Sequence, residues 1–388
     1  MHNRLNGLSA ALRCRRGSRS AHPGESRLES CCLIKSGGCI RGTGLIRFAV
    51  RRENANVVLG TPHPSVRRLI TVFQSQLCSA SRKMRVAIAG YGDLTRYICE
   101  EFVKAGHVLV ILTRSYKTQL ESQGVAQAIT DYSPSSLRAP LADCEVLIST
   151  ISDFSSAYTN VHRNLILACQ ESPRCKRFIP AEFVGDIEAY PDEPGFYYAP
   201  HEPIREMLRG QTDLEWTLVC IGWLSDYFVP SKNRHIKDIG EFHPMNWAGN
   251  KIVIPGTGNE PVDFTWARDV VRGLASLIEA PRGSWEPYTF MSGERSCWND
   301  ATRLAVQKYR PGIPIQHVSL HSVAGMIKTA KDENTEVLAD YYLLSISRAC
   351  GIPTDKVEAH REKYFSGVTF RGLRDGLCQV DEHPDSIV

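Results

Sequence analysis

Arg85-Val-Ala-Ile-Ala-Gly-Tyr-Gly-Asp-Leu-Thr95 is the stretch that decides the fold of this chain. An apolar run leads into Gly90-x-Gly92, a helical pattern follows, and a second apolar run covers residues 108–113. This order predicts a strand, a glycine turn, a helix and a second strand, which is the front half of a βαβ unit. Gly90 permits the tight turn, and Gly92 lets the backbone approach the pyrophosphate of a nucleotide.

The residues after the glycines indicate which dinucleotide binds. The helix that opens at Asp93 would direct its free N–H groups and its positive dipole end at the phosphates. The third position of the G-x-G-x-x-G fingerprint is Thr95 instead of glycine, which weakens the match. An NAD site places Asp or Glu at the end of the second strand, whereas this chain has Arg114 there and Lys117 close by. Two cations suit a 2′-phosphate, so the sequence predicts NADP(H) as cofactor.

The length and patterning predict an α/β enzyme with two parts. The chain has 388 residues, 43% of them apolar, and strand and helix patterns alternate from Met84 onward. This alternation predicts a Rossmann-type doubly wound parallel sheet over 84–230, with Trp216–Ile221 as sixth strand and a helix at Pro203–Arg209. A smaller C-terminal substrate-cleft region is predicted over 231–388. Its helical segment at about 265–280 is expected to pack back on the Rossmann domain.

The first 83 residues form a separate basic extension. They contain 15 Lys and Arg against 3 Asp and Glu, whereas the remainder contains 31 against 39. We expect this extension to be disordered. Its composition resembles a mitochondrial transit peptide, and the alternative is a gene-model artefact in which translation begins at Met84. We favour the second interpretation and a cytoplasmic location, with a mitochondrial one if the extension is real.

Charge, hydropathy and cysteine spacing exclude several classes of function. The acidic body lacks the clustered positive charge that nucleic acid requires, and the apolar segments of the extension are too short to span a membrane. The eight cysteines after Met84 show no C-x-x-C spacing, so we predict neither a metal site nor a disulfide framework.

Several segments in order resemble one family of proteins. They are the glycine turn, Thr113-Arg114, the stretch Arg177–Phe183 and the stretch Trp216–Phe228. Together they are similar to the NmrA-like and isoflavone-reductase-like group of atypical short-chain dehydrogenases, in its fungal branch. The resemblance covers residues 84–388. It implies an extended Rossmann domain, NADPH, and reduction of small, often aromatic, secondary metabolites, or dinucleotide sensing in the NmrA-type members.

The chain departs from this family at the catalytic position. Reductases of the family carry Pro-Ser-Glu-Phe-Gly and then a lysine four residues before an arginine, and here Ala181 and Val184 replace the serine and glycine. Aligning the arginine at Arg205 places His201 where the lysine belongs. The Tyr-x-x-x-Lys pair of ordinary short-chain dehydrogenases is absent too, because Tyr197 is followed at that distance by His201.

His201 and Tyr197 are the candidate proton donors. Hydride delivery builds negative charge that a donor must neutralise, and an imidazole with a pKa near 6.5 can do so at neutral pH. Tyr197 lies about one helical turn away. The structural alternative is that His201 starts or caps the helix ahead of Pro203 and has no chemical role.

The remaining candidates line the predicted cofactor edge and a substrate wall. Each has a plain structural alternative as a strand end or a core side chain. The predicted cofactor site comprises Gly90, Tyr91, Gly92, Asp93, Leu94, Thr95, Arg114, Lys117, Ser149, Thr150, Ile151, Glu182 and Phe183. The predicted substrate wall comprises Trp223, Tyr227 and Phe228.

Three hypotheses of function follow. The first is an NADPH-dependent reductase of a small, aromatic or secondary metabolite. The second is a non-catalytic, NADP-sensing regulator of the NmrA type, supported by the missing lysine, with a homodimer or a regulatory protein as its partner. The third is a scaffold that has lost its cofactor, which the intact Gly90, Gly92 and Arg114 argue against.

Overall fold

The computed structural model describes residues 51–53, 56–58 and 82–388. Strands β1 (Arg51–Glu53) and β2 (Asn56–Val58) pair antiparallel. Apart from these two strands and residues 82–83, the segment 1–83 that was predicted to be disordered lies outside the described residues. Ser79–Val388 forms one compact unit, which holds the sheet and the candidate site.

The elements of this unit alternate in its first half and become irregular in its second. The further strands are β3 (Arg85–Ala89), β4 (Val108–Thr113), β5 (Ala126–Ile129), β6 (Val146–Ser149), β7 (Arg177–Ile179), β8 (Glu215–Trp216), β9 (Leu218–Cys220), β10 (Trp223–Leu224), β11 (Ile252–Pro255), β12 (Val262–Thr265), β13 (Tyr288–Phe290), β14 (Glu294–Ser296) and β15 (Ile315–Val318). The α-helices are α1 (Asp93–Lys104), α2 (Thr118–Ser122), α3 (Pro134–Leu141), α4 (Ser156–Glu171), α5 (Gly195–Arg209), α6 (Ala267–Glu279), α7 (Trp298–Tyr309), α8 (Leu320–Thr329), α9 (Glu333–Ile346), α10 (Thr354–Tyr364) and α11 (Leu373–Glu382).

A six-stranded sheet in the order β5-β4-β3-β6-β7-β8 forms the centre of the unit. All of its neighbouring strands run parallel. The interior strands of such a sheet are covered on both faces and are therefore apolar, and residues 86–89 of β3 are fully buried. The predicted Rossmann-type doubly wound fold is confirmed. Because the strands are parallel, the carboxyl ends of β3, β6 and β7 meet at one edge of the sheet.

Two predicted elements differ from the structure. The predicted sixth strand divides at Thr217, whose hydroxyl lies 2.8 Å from that of Thr289. Only β8 pairs with β7 in the six-stranded sheet, and β9 pairs in parallel with β13. Residues Pro203–Arg209 lie on a helix, as predicted, but this helix begins earlier, at Gly195, where the carbonyl of Pro194 accepts the first backbone hydrogen bonds, from Tyr197 and Tyr198. His201 therefore lies inside this helix and not at its start.

Helix α6 packs against α1, the helix that follows the glycine turn. Arg268 Nη1 lies 2.6 Å from Glu101 Oε1, and Arg272 Nε lies 3.0 Å from Glu101 Oε2. Burial acts to raise the pKa of Glu101, but these cations and Lys104 lower it to about 2. The carboxylate is thus charged and joins the two helices. Among the described residues, no helix combines the length and the apolarity needed to cross a membrane.

Candidate active site

The glycine turn has the geometry that a pyrophosphate needs. Gly90 has φ +97°, and a Cβ there would lie 3.0 Å from Ile151 Cγ1 and 3.1 Å from Thr150 Oγ1. A Cβ on Gly92 would meet nothing within 4 Å, so the backbone faces open space. Gly92 caps α1 without any side-chain hydrogen bond, which leaves the N–H groups of the first turn free for an anion.

Thr95 joins the turn to the neighbouring strand ends. Its buried hydroxyl lies 3.2 Å from Gly90 O and 2.8 Å from Thr150 Oγ1. Thr150 in turn donates to Ala89 O at 3.1 Å. Thr95 thus replaces the third glycine of the fingerprint. Its hydroxyl forms hydrogen bonds at the position where that glycine would allow close packing of helix and strand.

The other predicted residues around the turn have mostly structural contacts. Tyr91 and Leu94 are half-buried and pack on the core. The Asp93 carboxylate accepts from Lys237 N at 2.9 Å, so it holds the C-terminal region against α1. Ser149 is buried, and its hydroxyl accepts from Ile151 N at 3.3 Å.

Arg114 lines an open cavity beyond the end of β4. The cavity has a volume of about 630 Å³ and is also lined by Asp131 and the serines at the start of α3. Arg114 is exposed, lies 5.6 Å from the ring centre of Tyr132, and has no ion-pair partner among residues 82–388. Lys117 does not line this cavity, and its Nζ donates to Ser115 Oγ at 2.9 Å. The free guanidinium, the open glycine turn and the free helix N–H groups together fit a phosphorylated dinucleotide.

A second cavity, the aromatic cavity, lies beside the same sheet edge. Its volume is about 260 Å³, and of the predicted residues it is lined by Glu182, Phe183, Tyr197, Trp223 and Tyr227. Phe183 has φ +43°, an unusual conformation for a bulky residue and of the kind often found at functional sites.

Two predicted residues do not reach the aromatic cavity. Phe228 packs in the core, with ring centres 5.2 Å from Phe264 and 6.2 Å from Trp298. His201 is fully buried behind Tyr197.

The cavity also has walls that sequence reasoning missed. Phe154 and Phe196 lie next to predicted residues in sequence, and proximity to the sheet edge was a usable signal for them. Tyr341 and Leu344 come from α9, far along the chain, and no sequence signal links them to the edge.

Glu182 is a buried carboxylate held by two partners. Arg205 Nε donates to its Oε1 at 3.1 Å, Arg205 Nη2 donates to its Oε2 at 2.9 Å, and His201 Nδ1 lies 3.2 Å from the same Oε2. Burial acts to raise the pKa of Glu182, but His201 and Arg205 lower it to about 2. Burial lowers the pKa of His201, and Glu182 opposes this only in part. His201 is thus neutral at pH 7, and its Nδ1 carries the proton because an ionised carboxylate only accepts.

His201 lies within a column of stacked rings. Its ring centre is 3.7 Å from that of Tyr197 and 3.5 Å from that of Tyr158, which in turn stacks on His162 at 3.7 Å. Such stacking fixes the plane of each ring. The Tyr197 hydroxyl at the cavity end of the column lies 3.3 Å from Ala181 O and 3.1 Å from Glu182 O. Burial first, and then the charge of Glu182, raise the pKa of Tyr197 well above its usual value, so the phenol stays protonated.

The fold and these two cavities define a dinucleotide-dependent α/β protein, and comparison with known proteins specifies its family. A family model described as NAD(P)H-binding matches residues 90–246. The oxidoreductase swnR of Metarhizium robertsii is 98% identical over 305 residues, which are 79% of this chain and 100% of that protein. An isoflavone reductase homolog of Nicotiana glauca is 28% identical over 217 residues, covering 52% of this chain and 66% of that protein.

The solved structures agree on the fold. The complex of leucoanthocyanidin reductase with NADPH from Vitis vinifera superposes with a TM-score of 0.59 at 16% identity, over 76% of this chain and 98% of that one. The chain belongs to the family of the oxidoreductase swnR, and it is similar in sequence to isoflavone reductase homologs. The predicted family, its enzyme class and its nicotinamide cofactor are thereby confirmed.

Proposed function

We propose that this protein uses NADPH to reduce a small, largely apolar metabolite, such as an aromatic secondary metabolite, in the aromatic cavity. The observation that carries the proposal is the position of Tyr197. Tyr197 lines the aromatic cavity, which lies beside the carboxyl ends of the strands where the glycine turn also lies. In this proposal, residues 84–230 hold the cofactor and residues 231–388 supply the outer wall of the cavity.

The cofactor would be held by the glycine turn and by Arg114. The free N–H groups of α1 would bind the pyrophosphate, and the unpaired guanidinium of Arg114 would bind the 2′-phosphate. NADPH, when bound, supplies a hydride to the substrate. An enzyme with this charge arrangement prefers NADPH over NADH.

Tyr197 would hold the proton that the product requires. A carbonyl carbon that accepts a hydride leaves an oxygen with a new electron pair, and that oxygen takes a proton from the nearest donor. The phenol is protonated at neutral pH, and its proton, which the Ala181 and Glu182 carbonyls accept in this structure, would turn to the substrate oxygen. The resulting phenolate would then regain a proton from water, which balances the reaction.

His201 would act on the reaction through Tyr197. It lies behind that ring, is neutral, and directs its one proton at Glu182. We therefore assign His201 a positioning role in place of the family lysine, with Tyr197 as the donor.

The test is NADPH oxidation with a panel of enones, quinones and aromatic ketones. Wild type should turn over at least one compound, and Tyr197→Phe should lower kcat by about 10²–10³-fold, because it loses the donor. Tyr198→Phe is the matched control, since Tyr198 is exposed on the same helix and should keep full activity. Equal activity of Tyr197→Phe and wild type would refute Tyr197 as donor.

A second candidate function is NADP sensing without catalysis. The observation that favours it is that the family lysine is replaced by a buried histidine engaged with a carboxylate. This function predicts tight binding of NADPH together with no turnover of any compound in the panel.

A further inference from the structure

We propose that the Tyr341 hydroxyl is the donor that recognises the substrate, by hydrogen bonding to an uncharged carbonyl-type oxygen in the aromatic cavity. This residue determines specificity and comes from the C-terminal region, outside the Rossmann sheet. The inference rests on the proposed function, because it assigns the substrate class for the same cavity.

Tyr341 is held firmly in the cavity wall. Its ring centre lies 4.9 Å from that of Phe196, 5.7 Å from that of Trp223 and 5.6 Å from that of Phe242. Three rings on different segments fix its position, so the hydroxyl is placed without further ordering when a ligand enters. A preorganised donor of this kind is what selective recognition requires.

The hydroxyl of Tyr341 has no hydrogen-bond partner in the described part of the chain, although the residue is half-buried. Burial raises the pKa of Tyr341 to about 12, so the phenol keeps its proton at neutral pH. A negative charge on the ionised Tyr341 would raise the pKa of both Tyr197 and Tyr227, which indicates that Tyr341 lies near both residues. A free donor among aromatic walls is satisfied only by a ligand or by water.

The other polar groups of the aromatic cavity are less suitable for this task. The Glu182 carboxylate is engaged by Arg205 and His201, and the Tyr197 hydroxyl lies against two backbone carbonyls. The indole N–H of Trp223 is buried within the protein. No lysine or arginine is among the lining residues that the structure describes. The Ser152 side chain is hydrogen-bonded to Tyr197. Recognition by neutral donors is therefore expected, and the competing donor is the hydroxyl of Tyr227.

The experiment compares two ligands of the same shape. Acetophenone carries a carbonyl oxygen where α-methylstyrene carries a CH₂ group, and both would be titrated calorimetrically into the full-length protein saturated with NADP⁺. Wild type should bind acetophenone about tenfold more tightly, the effect of one added hydrogen bond. Tyr341→Phe should remove this preference, because it deletes only the donor and keeps the ring.

Two variants serve as matched controls. Tyr342→Phe changes the neighbouring tyrosine, which packs in a separate apolar cluster with Val323 and Ala339, and should keep the tenfold preference. Tyr227→Phe should keep it as well. Loss of the preference in Tyr227→Phe but not in Tyr341→Phe would overturn the assignment, as would a wild type that binds neither ligand or shows no preference.

The outcome is separable from that of the proposed function. Ligand preference is measured with oxidised cofactor and needs no turnover, whereas the reductase proposal is tested by NADPH oxidation. A preference that depends on Tyr341 in a protein without turnover would support this inference and refute catalysis. Turnover of a panel compound, together with an acetophenone preference that Tyr341→Phe leaves unchanged, would support catalysis and refute this inference.

Discussion

The cofactor edge and the aromatic cavity lie side by side but handle charge in opposite ways. At the cofactor edge, Arg114 is exposed and unpaired among the described residues, and the helix N–H groups of α1 are free. At the aromatic cavity, the lining residue Glu182 and Arg205 behind it are fully buried and neutralise each other. The charge of the first region is free to bind a ligand, whereas the charges of the second region are paired with each other.

This difference separates binding from stability. An exposed, unpaired cation contributes little to folding, so its removal should affect ligand affinity alone. A buried ion pair is strongly disrupted when one partner is removed, because the remaining charge is left without compensation. Substitution of Arg114 should therefore change ligand affinity, whereas substitution of either member of the buried pair should change the free energy of unfolding.

The largest effect is expected from Arg205→Met. It leaves Glu182 buried with only a neutral histidine beside it, and should lower the free energy of unfolding by about 3–5 kcal/mol. Urea denaturation at pH 7 measures this loss. Arg209→Met is the control, because Arg209 lies on the same helix and pairs with Glu202 in a partly exposed position, and it should cost less than about 1 kcal/mol. Similar losses in both variants would contradict the proposed role of burial.

A smaller effect is expected from Arg114→Ala. The Kd for NADPH should rise about 10–100-fold, as expected for loss of a charge-assisted hydrogen bond, while the Kd for NADH stays unchanged. Fluorescence titration of the two cofactors measures both constants, and the free energy of unfolding should not change. Lys117→Ala should raise the Kd for NADPH less, since Lys117 lies outside the cavity that Arg114 lines. An equal weakening of NADH binding would show that Arg114 does not contact the 2′-phosphate.

The smallest effect concerns acid pH and the stacked column. Burial lowers the pKa of His162 to about 3, with a hydrogen bond to the Tyr158 carbonyl opposing it. The unfolded chain binds this proton near pH 6.5. The free energy of unfolding should therefore fall as pH drops from about 6.5 toward 3, by about 2 kcal/mol between pH 7 and pH 5 from this residue.

Urea denaturation at the two pH values tests this. His162→Gln should reduce the fall, whereas His321→Gln, which changes an exposed histidine, should not. Glu182 does not add to the fall in this window, because its pKa of about 2 makes its loss occur only below about pH 4.5. An unchanged fall in His162→Gln would place the acid sensitivity elsewhere.

Local patterns were sufficient for the strands of the sheet and the cofactor turn. The buried strands are continuous apolar runs, and the glycines lie within a few residues of the helix they precede. Prediction was weaker at Trp216–Ile221, where pairing with the distant strand β13 divides the predicted strand into β8 and β9. It was also weaker at the start of α5, where Pro203 suggested a later beginning.

The sequence was sufficient to place most of the predicted cofactor residues, but it was not sufficient to place every residue of the predicted substrate wall. The turn, Arg114 and the ends of β6 and β7 are placed by the topology of a parallel sheet, which the strand order already implies. The periodicity around Trp223 does not distinguish Tyr227, which lines the cavity, from Phe228, which packs in the core. Which of two adjacent aromatic residues reaches a cavity depends on the neighbours that other segments provide.

The sequence by itself determined the doubly wound fold, the glycine turn and the likeness to isoflavone reductases, because each depends on patterns of residues close together along the chain. Only the tertiary structure decided that His201 is buried beneath Tyr197, that Glu182 is neutralised by Arg205, and that Tyr341 closes the aromatic cavity. The contact between Glu182 and Arg205 joins residues 23 positions apart, and Tyr341 reaches the cavity from a helix far along the chain. Burial and pairing arise only when the chain has folded, since they depend on which side chains share the same space.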